Sequence, residues 1–249
     1  MLFMLIGLVI LLMLIGLPIA FALASTTILY FFLADLPLES FTQMMAKGVD
    51  SYTLLALPFF ILTGKAMNEG GATARLLHFG TAVLGHLRGG LAYANVLASF
   101  LFAGISGSAV ADAGGLGAVE IETMQRAGYE RRFSIALTAA SSTVGPIIPP
   151  SVIMIVYGIS AGVPVGALFV GGIIPGLIMA LGFMGMVAYE VRTKAPKDGG
   201  SFAWKTLGKA TAQALPALLT PAILVGGILA GVFTVTESGA VAAGACQRM

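Results

Sequence analysis

Residues 95–128 read NVLASFLFAGISGSAVADAGGLGAVEIETMQRAG. The stretch opens as an apolar helix pattern and is interrupted in mid-run by Gly104-Ile105-Ser106-Gly107-Ser108, followed by Asp112 and Gly114-Gly115. A second, short helical pattern then reaches Glu120, Glu122 and Arg126, and from Gly89 to Val119 the only charged residue is Asp112. The apolar part, Leu91 to Ile105, is 15 residues. As a helix it covers about 22 Å, short of a hydrocarbon core about 30 Å thick. The pattern predicts a helix that enters the membrane, turns on small polar residues near its middle and returns. Such backbone is tolerated at depth only where protein buries it or it lines a wet cavity. The expected element is a re-entrant hairpin over 95–128 whose tip carries a binding site.

Composition sets the class. Of the 249 residues, 58% are hydrophobic and 10% charged, against about 25% charged in soluble domains, and mean hydropathy is +0.98. These values point to an integral membrane protein in a lipid bilayer. The net charge of +2 carries no nucleic-acid signal, because the basic residues sit in loops between apolar runs. A single cysteine, Cys246, leaves no internal disulfide or Cys-based metal site, and two histidines, His78 and His86, leave little for a metal centre. The N-terminus has no basic n-region and no small-residue cleavage site, so no cleaved signal peptide is expected there.

Residues 1–33 are apolar almost throughout. Gly16-Leu17-Pro18 is the natural break for a two-span hairpin, since proline suits the first turn of a new helix; one long tilted helix is the alternative. Thr53 to Met67 is a short span containing Pro58, and 70–90 is amphipathic, the kind of helix that lies in the interface plane. After the hairpin, the run from Phe133 is cut by Gly145-Pro146-Ile147-Ile148-Pro149-Pro150 and resumes to Ala161. Prolines lack a donor and clash with the preceding turn, so 133–161 is a discontinuous helix. Spans over 165–189 and Thr211 to Phe233 flank a basic loop, 190–209. The segments 65–90, 120–132 and 190–209 hold 11 of the 13 Lys and Arg residues. Placing all three on the cytoplasmic side requires 95–128 to enter and leave from that side. A further apolar run from Thr234 stops at Cys246-Gln247-Arg248-Met249, which reads as a truncation.

The two breaks, Ser106-Gly107-Ser108 and Gly145 to Pro150, fall at similar depth. Broken helices free carbonyls for a hard cation, and half-helix N-termini favour an anion. The pair predicts a sodium ion beside an anionic substrate, the plainer reading being close packing of small residues. Asp112 lies four residues past Ser108, on one helix face with it. It either takes a direct ion or proton role or caps a half-helix. Thr138, Ser141, Ser142 and Thr143 either line the cavity or bond back onto their own helix. Glu237, after Thr234 and Thr236, reads as a helix-start residue. Gly104-Ile105-Ser106-Gly107 also matches the G-x-S-G of rhomboid-like intramembrane serine proteases. That chemistry needs a histidine base, and His78 and His86 both fall in the amphipathic stretch.

Three segments, GISGSAVADAGGLGAVEIETMQRAGY, AASSTVGPIIPPSVIMIVYG and GVFTVTESGAVAA, resemble the large membrane subunit of TRAP (tripartite ATP-independent periplasmic) transporters. The similarity runs over residues 1–245. It implies an all-α polytopic protein of the bacterial inner membrane, half of an elevator-type transporter, and not an enzyme. The implied activity is sodium-coupled import of carboxylate-bearing solutes such as C4-dicarboxylates or sugar acids. The implied partners are a small membrane subunit and a periplasmic solute-binding protein; no cofactor is implied beyond sodium as coupling ion. An uncoupled channel or an assembly component is the alternative. Residue by residue, the resemblance places sodium at Ser106, Gly107, Ser108, Gly145 and Pro146. Asp112, Ser141, Ser142, Thr143, Pro149, Pro150 and Ser151 become the candidates to line the substrate cavity. The implied organisation is scaffold spans over 1–69, an interfacial helix over 70–90, and a transport repeat over 91–189. A cytoplasmic loop follows over 190–209, and 210–249 holds a span and the opening of a second half with its own hairpin.

Overall fold

The structure is a computed structural model; it describes residues 2–194 and 203–246. Among the described residues every regular element is helical. The chain divides into two compact units, residues 1–51 and 52–249.

In the first unit, α1 (Leu2–Leu14) and α2 (Ile19–Leu33) are separate helices. Gly16 turns the chain at φ 96°, and Pro18, which has no N–H to leave unsatisfied, precedes the first residue of α2. The helix α3 (Leu38–Val49) follows, with Phe31 of α2 edge-on to Phe41 at 6.1 Å. No residue of α1 is buried within the unit.

The second unit begins with a 3-10 turn, Tyr52–Leu55, that runs into α4 (Ala56–Glu69). Pro58 lies in the first turn of α4, where no intrahelical donor is needed, so it starts the helix instead of bending it. The helices α5 (Ala72–Leu84), α6 (Gly90–Ser106) and α7 (Ala109–Arg126) follow. The apolar stripe of α5, read from sequence as resting on the membrane surface, is covered by protein: Leu76 and Leu77 are buried in a core with Phe102, Leu116 and Ala217. The broken helix consists of α8 (Arg131–Ser142) and α9 (Val152–Ala161).

Among the described residues, two helices are long and apolar enough to cross a membrane, α10 (Val165–Lys194) and α11 (Trp204–Leu229). Both run further into the 190–209 segment than a loop there would allow, and Lys205 and Lys209 sit in the opening turns of α11. Residues 195–202, the rest of the expected loop, lie outside the described residues. Pro175 in α10, and Pro216 and Pro221 in α11, are accommodated without ending the helix. The last helix, α12 (Val235–Cys246), packs on α4. The Thr234 N–H donates to Glu237 Oε2 at 2.8 Å while the Glu237 N–H donates to Thr234 Oγ1 at 3.3 Å, a reciprocal cap that accounts for Glu237.

The most buried helix is α6. Ala92, Ala94, Ala98, Ser99, Ala103 and Gly104 all face protein. In lipid, helices gain little from hiding apolar surface from one another, so small residues that let backbones approach drive their association. That composition makes α6 the post against which α5, α7, α8, α10 and α11 pack.

Candidate functional site

The hairpin turn is tighter than its sequence implies. Helix α6 ends at Ser106, Gly107 takes a left-handed conformation at φ 58°, and α7 starts at Ala109. The Ser108 hydroxyl caps α7, accepting from the Ala111 N–H at 3.4 Å. Gly114 and Gly115 lie inside an 18-residue helix. Close approach explains the second of them: a Cβ on Gly115 would stand 3.0 Å from the Asn68 amide of α4.

The two breaks meet. A Cβ on Gly107 would run into the Pro150 carbonyl and stand 3.0 Å from Ser151 Cα; one on Gly145 would stand 3.1 Å from the Ser108 carbonyl carbon. Only residues without side chains let the two backbones come this close. At this junction the Ser106 hydroxyl is buried, 7% exposed, and has no hydrogen-bond partner. Ser151 is fully buried; its hydroxyl donates to the Pro146 carbonyl at 2.6 Å and accepts from the Met154 N–H at 3.3 Å, capping α9. The turn and the second break therefore bring together Ser106, Gly107, Ser108, Gly145 and Pro146, and the Ser106 hydroxyl is left without a hydrogen bond. That hydroxyl touches no histidine, so nothing activates Ser106 for nucleophilic attack.

The residues expected to line a substrate cavity are arranged differently. Asp112 is 1% exposed, sealed between α6, α7 and α8. The Ser142 hydroxyl bonds back to the Thr138 carbonyl at 2.8 Å, and the exposed Thr143 hydroxyl to the Ala140 carbonyl at 2.6 Å. Pro149 and Pro150 are buried against the hairpin. The open cavity beside the tip, about 450 Å³, lies on the other side, between α4 and α7. Its polar lining is Lys65, Asn68, Ser106 and Ser108. Of the sequence candidates only the two tip serines reach it. Lys65 and Asn68 were not legible as site residues, because their place beside the tip depends on how α4 packs.

A second polar feature runs down the hairpin. On α7 the buried positions Asp112, Leu116, Glu120 and Met124 recur every four residues and form one stripe. Facing it, the Asn95 amide donates to Thr138 Oγ1 at 2.7 Å, the Ser141 hydroxyl to Asn95 Oδ1 at 3.2 Å, and Ser99 and Ser141 share a bond at 3.0 Å. Glu120, Asn95 and Ser99 were missed from sequence, although the eight-residue spacing of Asp112 and Glu120 was the signal that both face the same neighbours.

The pattern of the family described as "Tripartite ATP-independent periplasmic transporter, DctM component" matches residues 6–247. The sialic acid TRAP transporter large permease protein SiaM of Vibrio cholerae is 41% identical over 227 residues, covering 91% of this chain and 53% of that protein. The C4-dicarboxylate TRAP transporter large permease protein DctM of the same organism is 39% identical over 238 residues, covering 95% and 52%. The 2,3-diketo-L-gulonate TRAP transporter large permease protein YiaN of Escherichia coli is 38% identical over 231 residues, covering 92% and 54%. The chain spans about half the length of these curated relatives. With a matching pattern over nearly all of its length, this chain belongs to the DctM family of tripartite ATP-independent periplasmic transporter components.

Proposed function

We propose that the chain is the permease part of a sodium-coupled secondary transporter of the bacterial inner membrane. It imports carboxylate-bearing solutes and works with a small membrane subunit and a periplasmic solute-binding protein. The observation that carries this reading is the junction of the two breaks: Gly107 against Pro150 and Ser151, Gly145 against Ser108, and next to Gly107 the buried, unpartnered Ser106 hydroxyl. A cation needs several oxygens held at fixed distance. Broken helices supply carbonyls without unravelling the rest of the fold, and a tip locked by backbone contact keeps those oxygens in place. The cavity beside Ser106 and Ser108 is open to a solute, and Lys65 on its wall offers a positive charge to a carboxylate. Sodium bound at the tip would then raise affinity for an anion beside it, which is the coupling. The relatives named for sialic acid, C4-dicarboxylate and 2,3-diketo-L-gulonate all carry acidic solutes, which favours that substrate class here.

The test is uptake by a chimera in which residues 6–245 replace the matching span of the Vibrio cholerae sialic acid permease, reconstituted with the other components of that transporter. The expected result is uptake driven by an inward sodium gradient and abolished when potassium replaces sodium. Uptake of equal rate without sodium would refute the coupled reading and leave an uncoupled channel.

A further inference from the structure

Glu120 sits about 18 Å along α7 from the hairpin tip, twelve residues past Ser108 at 1.5 Å each. It is 1% exposed, and neither carboxyl oxygen has a hydrogen-bond partner. An isolated carboxylate in a low-dielectric interior costs far more than any surrounding packing returns, so something compensates it. No basic side chain does. Among the described residues, Asp112 and Glu120 are the only buried charged residues. On α4, Lys65 and Glu69 are exposed and face each other at 4.0 Å. On α5, Arg75 is half-buried and His78 exposed, and on α8, Arg131 and Arg132 are exposed. The helix α6 presents Asn95 and Ser99 to this stripe, and its half-buried Tyr93 packs, with Tyr129, on the cluster around Met124; neither tyrosine is a cation.

We propose that Glu120 is a proton-binding site inside the hairpin, separate from the cation site at its tip. The facing chemistry selects the proton over a metal cation. Sodium would need several free oxygens, but those opposite are engaged with one another: Asn95 with Thr138 and Ser141, and Ser141 with Ser99. A neutral carboxyl needs only one acceptor. Thr138 lies within reach of Glu120; its oxygen accepts from Asn95 and retains a second lone pair. Binding is H⁺ plus carboxylate giving carboxylic acid, with no other reactant. The proton lets α7 pack flat on α6 and α8. Its loss leaves a bare charge opposite Asn95 and Thr138 and forces the hairpin away from the broken helix or draws water in, so hairpin packing is tied to protonation at a point remote from the tip.

The test is infrared spectroscopy of the 249-residue chain in lipid nanodiscs at neutral pH, with and without sodium. A protonated-carboxyl carbonyl band should appear. A glutamate component, identified by its shift on ¹³C-glutamate labelling, should persist in saturating sodium and vanish in Glu120→Gln; Asp112, equally buried and with both carboxyl oxygens unpartnered, accounts for any component that follows ¹³C-aspartate. The labels decide the question even where Glu120→Gln fails to fold. The proposal is overturned by the absence of a glutamate-labelled band, whether or not an aspartate band is present, by its survival in a folded Glu120→Gln protein, or by its loss on adding sodium. This readout needs no transport, so it stands or falls apart from sodium coupling.

Discussion

Two glycines turn the chain between apolar helices, and they have opposite surroundings. Gly16 adopts φ 96° between α1 and α2, and a Cβ there would meet nothing within 4 Å. Gly107 adopts φ 58° between α6 and α7, and a Cβ there would strike the backbone of the second break. Locally the two read alike: an apolar run, a glycine in the left-handed region, a new helix capped or begun within two residues. The difference is tertiary. The first turn only reverses the chain, whereas the second is pressed into another broken helix so that two sets of backbone oxygens share one place. A helix break becomes a candidate site when a second break is packed against it.

The contrast can be broken by substitution. Gly107→Ala combines left-handed strain of about 1–2 kcal/mol with overpacking of about 1–3 kcal/mol. The expected result is a large loss of folded protein in detergent and no uptake by the chimera; near-normal yield would mean that the tip is loose. Asn95→Leu comes next. It removes the bonds that tie α6 to Thr138 and Ser141, which in a membrane amounts to about 1–2 kcal/mol, and thermal unfolding should register it at every sodium concentration. Gly16→Ala carries the strain alone, about 1 kcal/mol. It should lower the unfolding temperature slightly and leave uptake unchanged; a loss of uptake would show that the first turn also has a packed partner.

Much of this was legible because helix breaking is local chemistry. Pro146, Pro149 and Pro150 end α8 wherever they are placed, and Gly107 permits a turn that other residues resist. Composition alone fixed the membrane class. The rest depends on neighbours. Nothing local explains the glycine at 115, inside α7; α4 closes on that face and wants no side chain there. Asp112, Ser141 and Ser142 read as cavity residues; all three are buried, Ser141 against Asn95 and Ser99 of α6, in a polar stripe that spans three helices and appears only when those pack. Lys65 and Asn68 are far in sequence from the tip serines Ser106 and Ser108, and no periodicity links them.

Ser106 offers the most direct test of the account. Unlike Ser108, which caps α7 at 3.4 Å, its hydroxyl makes no hydrogen bond, so Ser106→Ala removes one oxygen and no structural contact. The measurement is sodium-dependent uptake by the chimera, with thermal unfolding of the same preparation. The account predicts a several-fold rise in the sodium concentration for half-maximal uptake, with the rate at saturating sodium and the unfolding temperature close to the parent's. An unchanged sodium dependence in a well-folded Ser106→Ala protein would contradict it and make the tip serines packing residues.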